Sequence, residues 1–103
     1  MTIPVAPTTP TIGIATANAG RTATVRWTLG ANGGSAITSH VVTAYLNGSG
    51  TAARSVTENG ATAVSATVTG LTAGGSYTFK VLARNAIGSS ALSSSSNAVT
   101  ARR

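Results

Sequence analysis

The ten residues Ser76-Tyr-Thr-Phe-Lys-Val-Leu-Ala-Arg-Asn85 decide the fold of this chain. Tyr77, Phe79, Val81 and Ala83 alternate with Thr78, Lys80, Leu82 and Arg84. In an extended strand successive side chains leave on opposite faces, so this spacing gives one apolar face and one mixed face. A helix would scatter the same apolar residues around its circumference. Working outward, Arg21 to Thr28 repeats the pattern, with Ala23, Val25 and Trp27 on one face and Thr22, Thr24, Arg26 and Thr28 on the other. Ile37 to Leu46 predicts a third strand, ending at Asn47-Gly48, a dipeptide that favours hairpin turns. Thr11 to Ala17 predicts a strand with Ile12 and Ile14 facing inward, followed by a turn at Asn18-Ala19-Gly20. Thr51 to Thr57 predicts a weaker strand closed by Asn59-Gly60, with Glu58 as a turn residue. Ala63 to Thr69 places Val64, Ala66 and Val68 inward, and Asn97 to Ala101 gives a final short strand. Seven short strands separated by Gly and Asn turns are the signature of an all-β sandwich or barrel.

Two segments lie outside this pattern. Pro4, Pro7 and Pro10 disfavour helix and central strand, so residues 1–10 read as an extended leading linker and 102–103 as a trailing one, with the folded unit over 11–101. Ser89 to Ser96 is serine-rich and of low complexity, a composition that does not by itself specify a packed strand.

Composition restricts the chemistry. Among 103 residues there are seven Lys plus Arg, one acid (Glu58), one His (His40) and no Cys. A carboxylate pair needs two acids, and a Ser–His–Asp triad needs an acid beside its histidine. A zinc site takes three or four Cys, His, Asp or Glu ligands, and this chain owns two such residues in total. We therefore expect no enzyme activity, no metal and no cofactor. The net charge of +6 supports diffuse attraction to polyanions. Only 8% of residues are charged, and the basic ones form no run beyond Arg102-Arg103, so no specific nucleic-acid site is expected. Apolar runs reach only two or three residues, so no membrane insertion is expected either. Met1 is not followed by a basic and then apolar leader.

With these motifs in hand, the chain resembles a fibronectin type III domain of the kind found in bacterial secreted or cell-surface multidomain proteins. The resemblance rests on an ordered set. Pro7 to Ile14 (PTTPTIGI) is similar to the family's proline-led first strand, and Ala23 to Thr28 (ATVRWT) to its second strand with the core tryptophan at Trp27. Gly33 to Val42 (GGSAITSHVV) resembles the loop and third strand of bacterial repeats. Leu71 to Tyr77 (LTAGGSY) resembles the run into the tyrosine corner, and Tyr77 to Asn85 (YTFKVLARN) the sixth strand. His40 departs from the family's usual tyrosine, and Ala86-Ile87-Gly88 stands where integrin-binding members carry Arg-Gly-Asp. The resemblance implies a seven-stranded antiparallel immunoglobulin-like β-sandwich, an extracellular or cell-surface location, and neighbouring domains of a parent chain as partners. Trp27, Leu71, Tyr77, Phe79 and Val81 are the expected structural core, and the Tyr77 hydroxyl should bond a backbone group near Leu71.

Trp27 could serve as a sugar-stacking platform, but its alternation with Val25 and Ala23 assigns it to the core. His40 reads as a partly buried residue in an aromatic slot, with ligand contact or pH sensing as the sharper alternative. Tyr45 shares a face with Val41 and Thr43, and the neighbouring strand adds Lys80, Leu82 and Arg84. An apolar centre with basic flanks is a candidate binding face for polysaccharide, another anionic surface or a protein, with Arg54 as a further contact. The competing reading is a spacer module whose sheet face is merely solvated.

Overall fold

The computed structural model describes residues 3–46, 52–60 and 64–103. It contains seven strands: β1 (Thr11–Asn18), β2 (Thr22–Thr28), β3 (Ile37–Leu46), β4 (Ala52–Asn59), β5 (Ser65–Val68), β6 (Ser76–Asn85) and β7 (Val99–Thr100). They form two antiparallel sheets, in the orders β1-β2-β5 and β4-β3-β6-β7. This is an all-β sandwich. The Asn47-Gly48 turn lies outside the described residues, as do Thr51 and Ala63.

Alternation builds the core as the sequence implies. Ala23, Val25 and Trp27 of β2 are buried, and Val42 and Ala44 of β3 and Phe79 and Val81 of β6 meet them from the other sheet. Leu71 and Tyr77 close one end of this core. The Tyr77 hydroxyl accepts the Thr72 amide proton at 2.8 Å, tying the loop before β6 to the start of that strand.

Two residues expected inside are outside, and one backbone irregularity explains the first. Ile12 lies opposite Trp27 and Ala15 opposite Val25, so Gly13 and Ile14 together oppose the single residue Arg26. This bulge shifts the alternation by one position. Ile12 stays half-buried, Ala15 takes the next inward place, and Ile14 is left 69% exposed. Glycine suits the bulge, since a Cβ on Gly13 would stand 2.9 Å from the Arg26 carbonyl oxygen. Val64 precedes β5 and is also exposed; its contribution is its carbonyl, which accepts the Trp27 amide proton.

The serine-rich segment is ordered by a device that strand propensity does not reveal. The amides of Ser90, Ser93 and Ser96 donate to the carbonyls of Ala83, Val81 and Phe79 at 2.8, 2.9 and 2.8 Å. The amides of those same three β6 residues donate back to the hydroxyls of Ser90, Ser93 and Ser96 at 2.9, 2.9 and 3.0 Å. Each hydroxyl in turn donates to the carbonyl of the residue that follows it. One serine thus does what a two-residue strand repeat does elsewhere, every third residue along the segment. Buried backbone groups must find partners, and here the side chain supplies half of them.

Candidate interaction surfaces

The pairing of β3 with β6 sets Tyr45 opposite Thr78, Thr43 opposite Lys80, and Val41 opposite Leu82. Side chains at these positions share the outer face of the larger sheet, so the structure sets Tyr45, Lys80 and Leu82 in one row on that face. The Lys80 ammonium sits 5.4 Å from the centroid of the Tyr45 ring, a cation–π contact within the same sheet. Arg84 is exposed at the far end of the row, where its Nε donates to the Ser89 hydroxyl at 3.1 Å. Val41, flanked on the outer face by Thr57 and Leu82, is only 8% exposed and so presents little surface there.

Arg54 does not belong to this row. It pairs with Ala44, a core residue, so it leaves the sheet on the inner side, and its Nε donates to the Gly70 carbonyl at 3.2 Å. The sequence could not separate Arg54 from Tyr45, because the register shift between Ala44 and Tyr45 becomes visible only once β3 and β4 are paired.

The two residues with metal-ligating or acid–base side chains are cross-strand neighbours. His40 in β3 lies opposite Glu58, which belongs to β4 and not to the turn after it. The His40 ring is fully buried beside Trp27, and neither ring nitrogen has a hydrogen-bond partner among the described residues. Desolvation lowers its pKa below the usual 6.5. Two groups do not complete a zinc site.

A set of contacts that sequence reading missed lies at the pole where the chain enters. The Asn85 side-chain amide donates to the carbonyls of Val5 and Asn32, both at 2.8 Å. Its carbonyl oxygen accepts the amides of Ile87 and Gly88. Val5 and Thr8 also donate to the carbonyls of Gly33 and Ala31. One asparagine therefore joins the leading segment, the loop before β3 and the loop after β6. Its only sequence trace is a polar residue at an inward position of the strongest strand. Nearby, a pocket of about 210 Å³ is lined by Leu29, Gly30, Asn32, Ala36 and Ile37. Small-molecule sites are usually ~300–1,000 Å³, so this one is small for a ligand.

The sequence pattern of the fibronectin type III domain matches residues 6–99. No curated protein sequence matches the chain. Among solved structures, the chain is similar to the twitchin kinase region from C. elegans (22% identity, TM-score 0.81), covering 95% of this chain and 17% of that one. It is similar to the chicken CNTN1 FN1-FN3 domains (20% identity, TM-score 0.81), covering 93% of this chain and 33% of that one. A fragment of titin has 24% identity and a TM-score of 0.69, with 98% and 33% covered. This chain thus spans a third or less of each of these larger chains. At such identities the likeness concerns the fold, and the match over residues 6–99 concerns the family. The chain belongs to the fibronectin type III domain family.

Proposed function

We propose that this domain is a non-catalytic spacer and interaction module of a larger extracellular bacterial protein, such as a polysaccharide-degrading enzyme, an adhesin or a surface protein. The observation that carries the reading is where the chain enters and leaves. The leading segment is tied through Val5 and Thr8 to the loop before β3, beside Asn85 at the end of β6. The trailing residues are tied at the opposite pole. Ala101 exchanges hydrogen bonds with Gly74 and Gly75 just before β6 begins, and the Arg102 carbonyl accepts the Arg21 amide. Ten residues of β6 separate these poles, which is roughly 30 Å of extended chain. Domains attached at the two ends are held apart by that length. The bacterial setting rests on the resemblance of Gly33 to Val42 to the loop and third strand of bacterial repeats.

The second reading is a module that binds polysaccharide or another anionic surface through the outer face carrying Tyr45, Lys80, Leu82 and Arg84. Spacer is preferred because Lys80 already stands over Tyr45, Val41 presents little surface and Arg84 is engaged by Ser89. Titration against chitin, a second insoluble polysaccharide and DNA at low and physiological salt separates the two. A spacer carrying +6 binds weakly at low salt and loses that binding where the Debye length falls to ~8 Å, with Tyr45→Ala and Arg21→Ala behaving alike. Salt-resistant binding lost only in Tyr45→Ala would replace the spacer reading with the binder.

A further inference from the structure

The edges of the two sheets are not equally protected. On β1, the Asn97 side chain clamps Ala15, accepting its amide proton at 2.9 Å and donating to its carbonyl at 3.0 Å. β5 has four residues and β7 two, too short to offer much ladder. β4 is different. It has eight residues, lacks Pro and Gly, and stands last in its sheet. Among the described residues, no backbone group pairs with its outer side. Such an edge is a template for another strand unless something blunts it.

The side chains on this edge carry a self-complementary charge pattern. Arg54, Val56 and Glu58 pair with Ala44, Val42 and His40, so all three leave the strand toward the same side of the sheet. Glu58 is the only acid in the chain, and among the described residues it makes no ion pair. Arg54 is exposed and held by the bond from its Nε to Gly70, which leaves its terminal nitrogens as further donors. Val56 is half-buried between them.

We propose that β4 pairs antiparallel with β4 of a second copy of this chain, about a twofold axis at Val56. That axis sets Val56 against Val56, Arg54 against Glu58 of the second copy, and Glu58 against Arg54 of the second copy. Both copies keep their inner faces on one side, so the two four-stranded sheets join into one. Other symmetric registers that preserve the faces lose this match: centring on Ser55 or Thr57 sets Glu58 against the uncharged Ala52 or Val56, and centring on Arg54 or Glu58 sets like charge against like. The unpaired acid and its cation at i and i+4 along the edge therefore select both partner and register. A single pair of short strands buries less than a standard protein–protein interface, which places the dissociation constant on the order of 100 μM.

Sedimentation equilibrium of the intact chain up to about 1 mM tests this, since that concentration is well above the expected constant. The expected result is a weight-average mass rising from 10.0 kDa toward twice that value. Glu58→Arg or Arg54→Glu alone sets like charges opposite each other twice per dimer and should weaken association about tenfold or more. The double variant Arg54→Glu/Glu58→Arg restores the pairing and should recover most of the loss. Isotope-filtered spectra of mixed labelled and unlabelled chains should show Val56 methyl contacts between copies, a readout that needs no variant. A chain that stays monomeric at the highest concentration overturns the proposal. Association indifferent to both charge reversals overturns it too, because the contact then lies elsewhere.

Discussion

The imidazole of His40 stands 5.4 Å from the ring of Trp27, centroid to centroid, with the two planes inclined at 39°. A polar ring whose two nitrogens have no hydrogen-bond partner among the described residues is thus packed into the centre of the sandwich.

That placement makes the fold sensitive to mild acid. The groups around His40 are Trp27 from β2, Ala83 from β6 and Glu58 from β4. Burial lowers the histidine pKa below 6.5, so the native state holds it neutral while the unfolded chain takes up a proton near 6.5. Above that pH the stability is undiminished. As pH falls below it, the unfolded state binds more protons and stability declines, by up to about 1.4 kcal/mol per pH unit, until the native pKa is reached. Urea midpoints should therefore fall between pH 7.5 and pH 5.5 in the native sequence, and His40→Phe should flatten this decline. Parallel curves for the two proteins would remove His40 as the cause.

Replacing Ser93 by Ala removes the acceptor of the Val81 amide in the buried part of β6. An orphaned buried donor costs about 1–3 kcal/mol, far more than surface serines are worth. Ser94→Ala, one residue along and exposed, should be nearly neutral. Chemical denaturation of the pair reads the difference directly, and equal midpoints would mean that the hydroxyl bonds contribute nothing net.

Asn85→Ala should release the leading segment without dissolving the sandwich. The variant loses donors to Val5 and Asn32 and an acceptor for Ile87 and Gly88. A loss of about 2–3 kcal/mol is expected for such a shared polar residue. Amide exchange at Val5 should accelerate while exchange in the centre of β6 changes only with global stability. Uniform acceleration everywhere would show that the pole and the core open as one unit.

Arg21 sits at φ 60° in the turn between β1 and β2, next to Gly20 at 86°. A left-handed backbone strains any residue with a Cβ, so Arg21→Gly should stabilise the chain by about 0.5–1 kcal/mol, with its exposed side chain giving up little. A lower melting temperature would show that the guanidinium matters more than the backbone.

The elements legible in the sequence are those whose signal is local. Alternation in β2 and β6 fixed which faces of Trp27, Phe79 and Val81 turn inward, and the Leu71 to Tyr77 run announced the bond at Thr72. Ile14 was misplaced because a bulge depends on two strands at once: Gly13 looks ordinary until Arg26 is set against it. The serine segment was unreadable for another reason. Its repeat is three residues, and its partner strand repeats in two, so no single periodicity describes the pairing. Val41 has the alternation of an outward residue, yet flanked there by Thr57 and Leu82 it is only 8% exposed. The Asn85 contacts span separations of up to 80 residues and leave no local trace.

Because the leading and trailing segments leave from opposite poles, a pull on the two ends runs along the strands. Rungs perpendicular to a strand are then loaded in shear, all at once, instead of being unzipped one after another. On the trailing side those rungs are the paired bonds of Ser90, Ser93 and Ser96, each of which ties a serine to one β6 residue through both backbone and hydroxyl. Under tension the last third of the chain is fastened as a row of double stitches, and the strength of the seam depends on three hydroxyl groups.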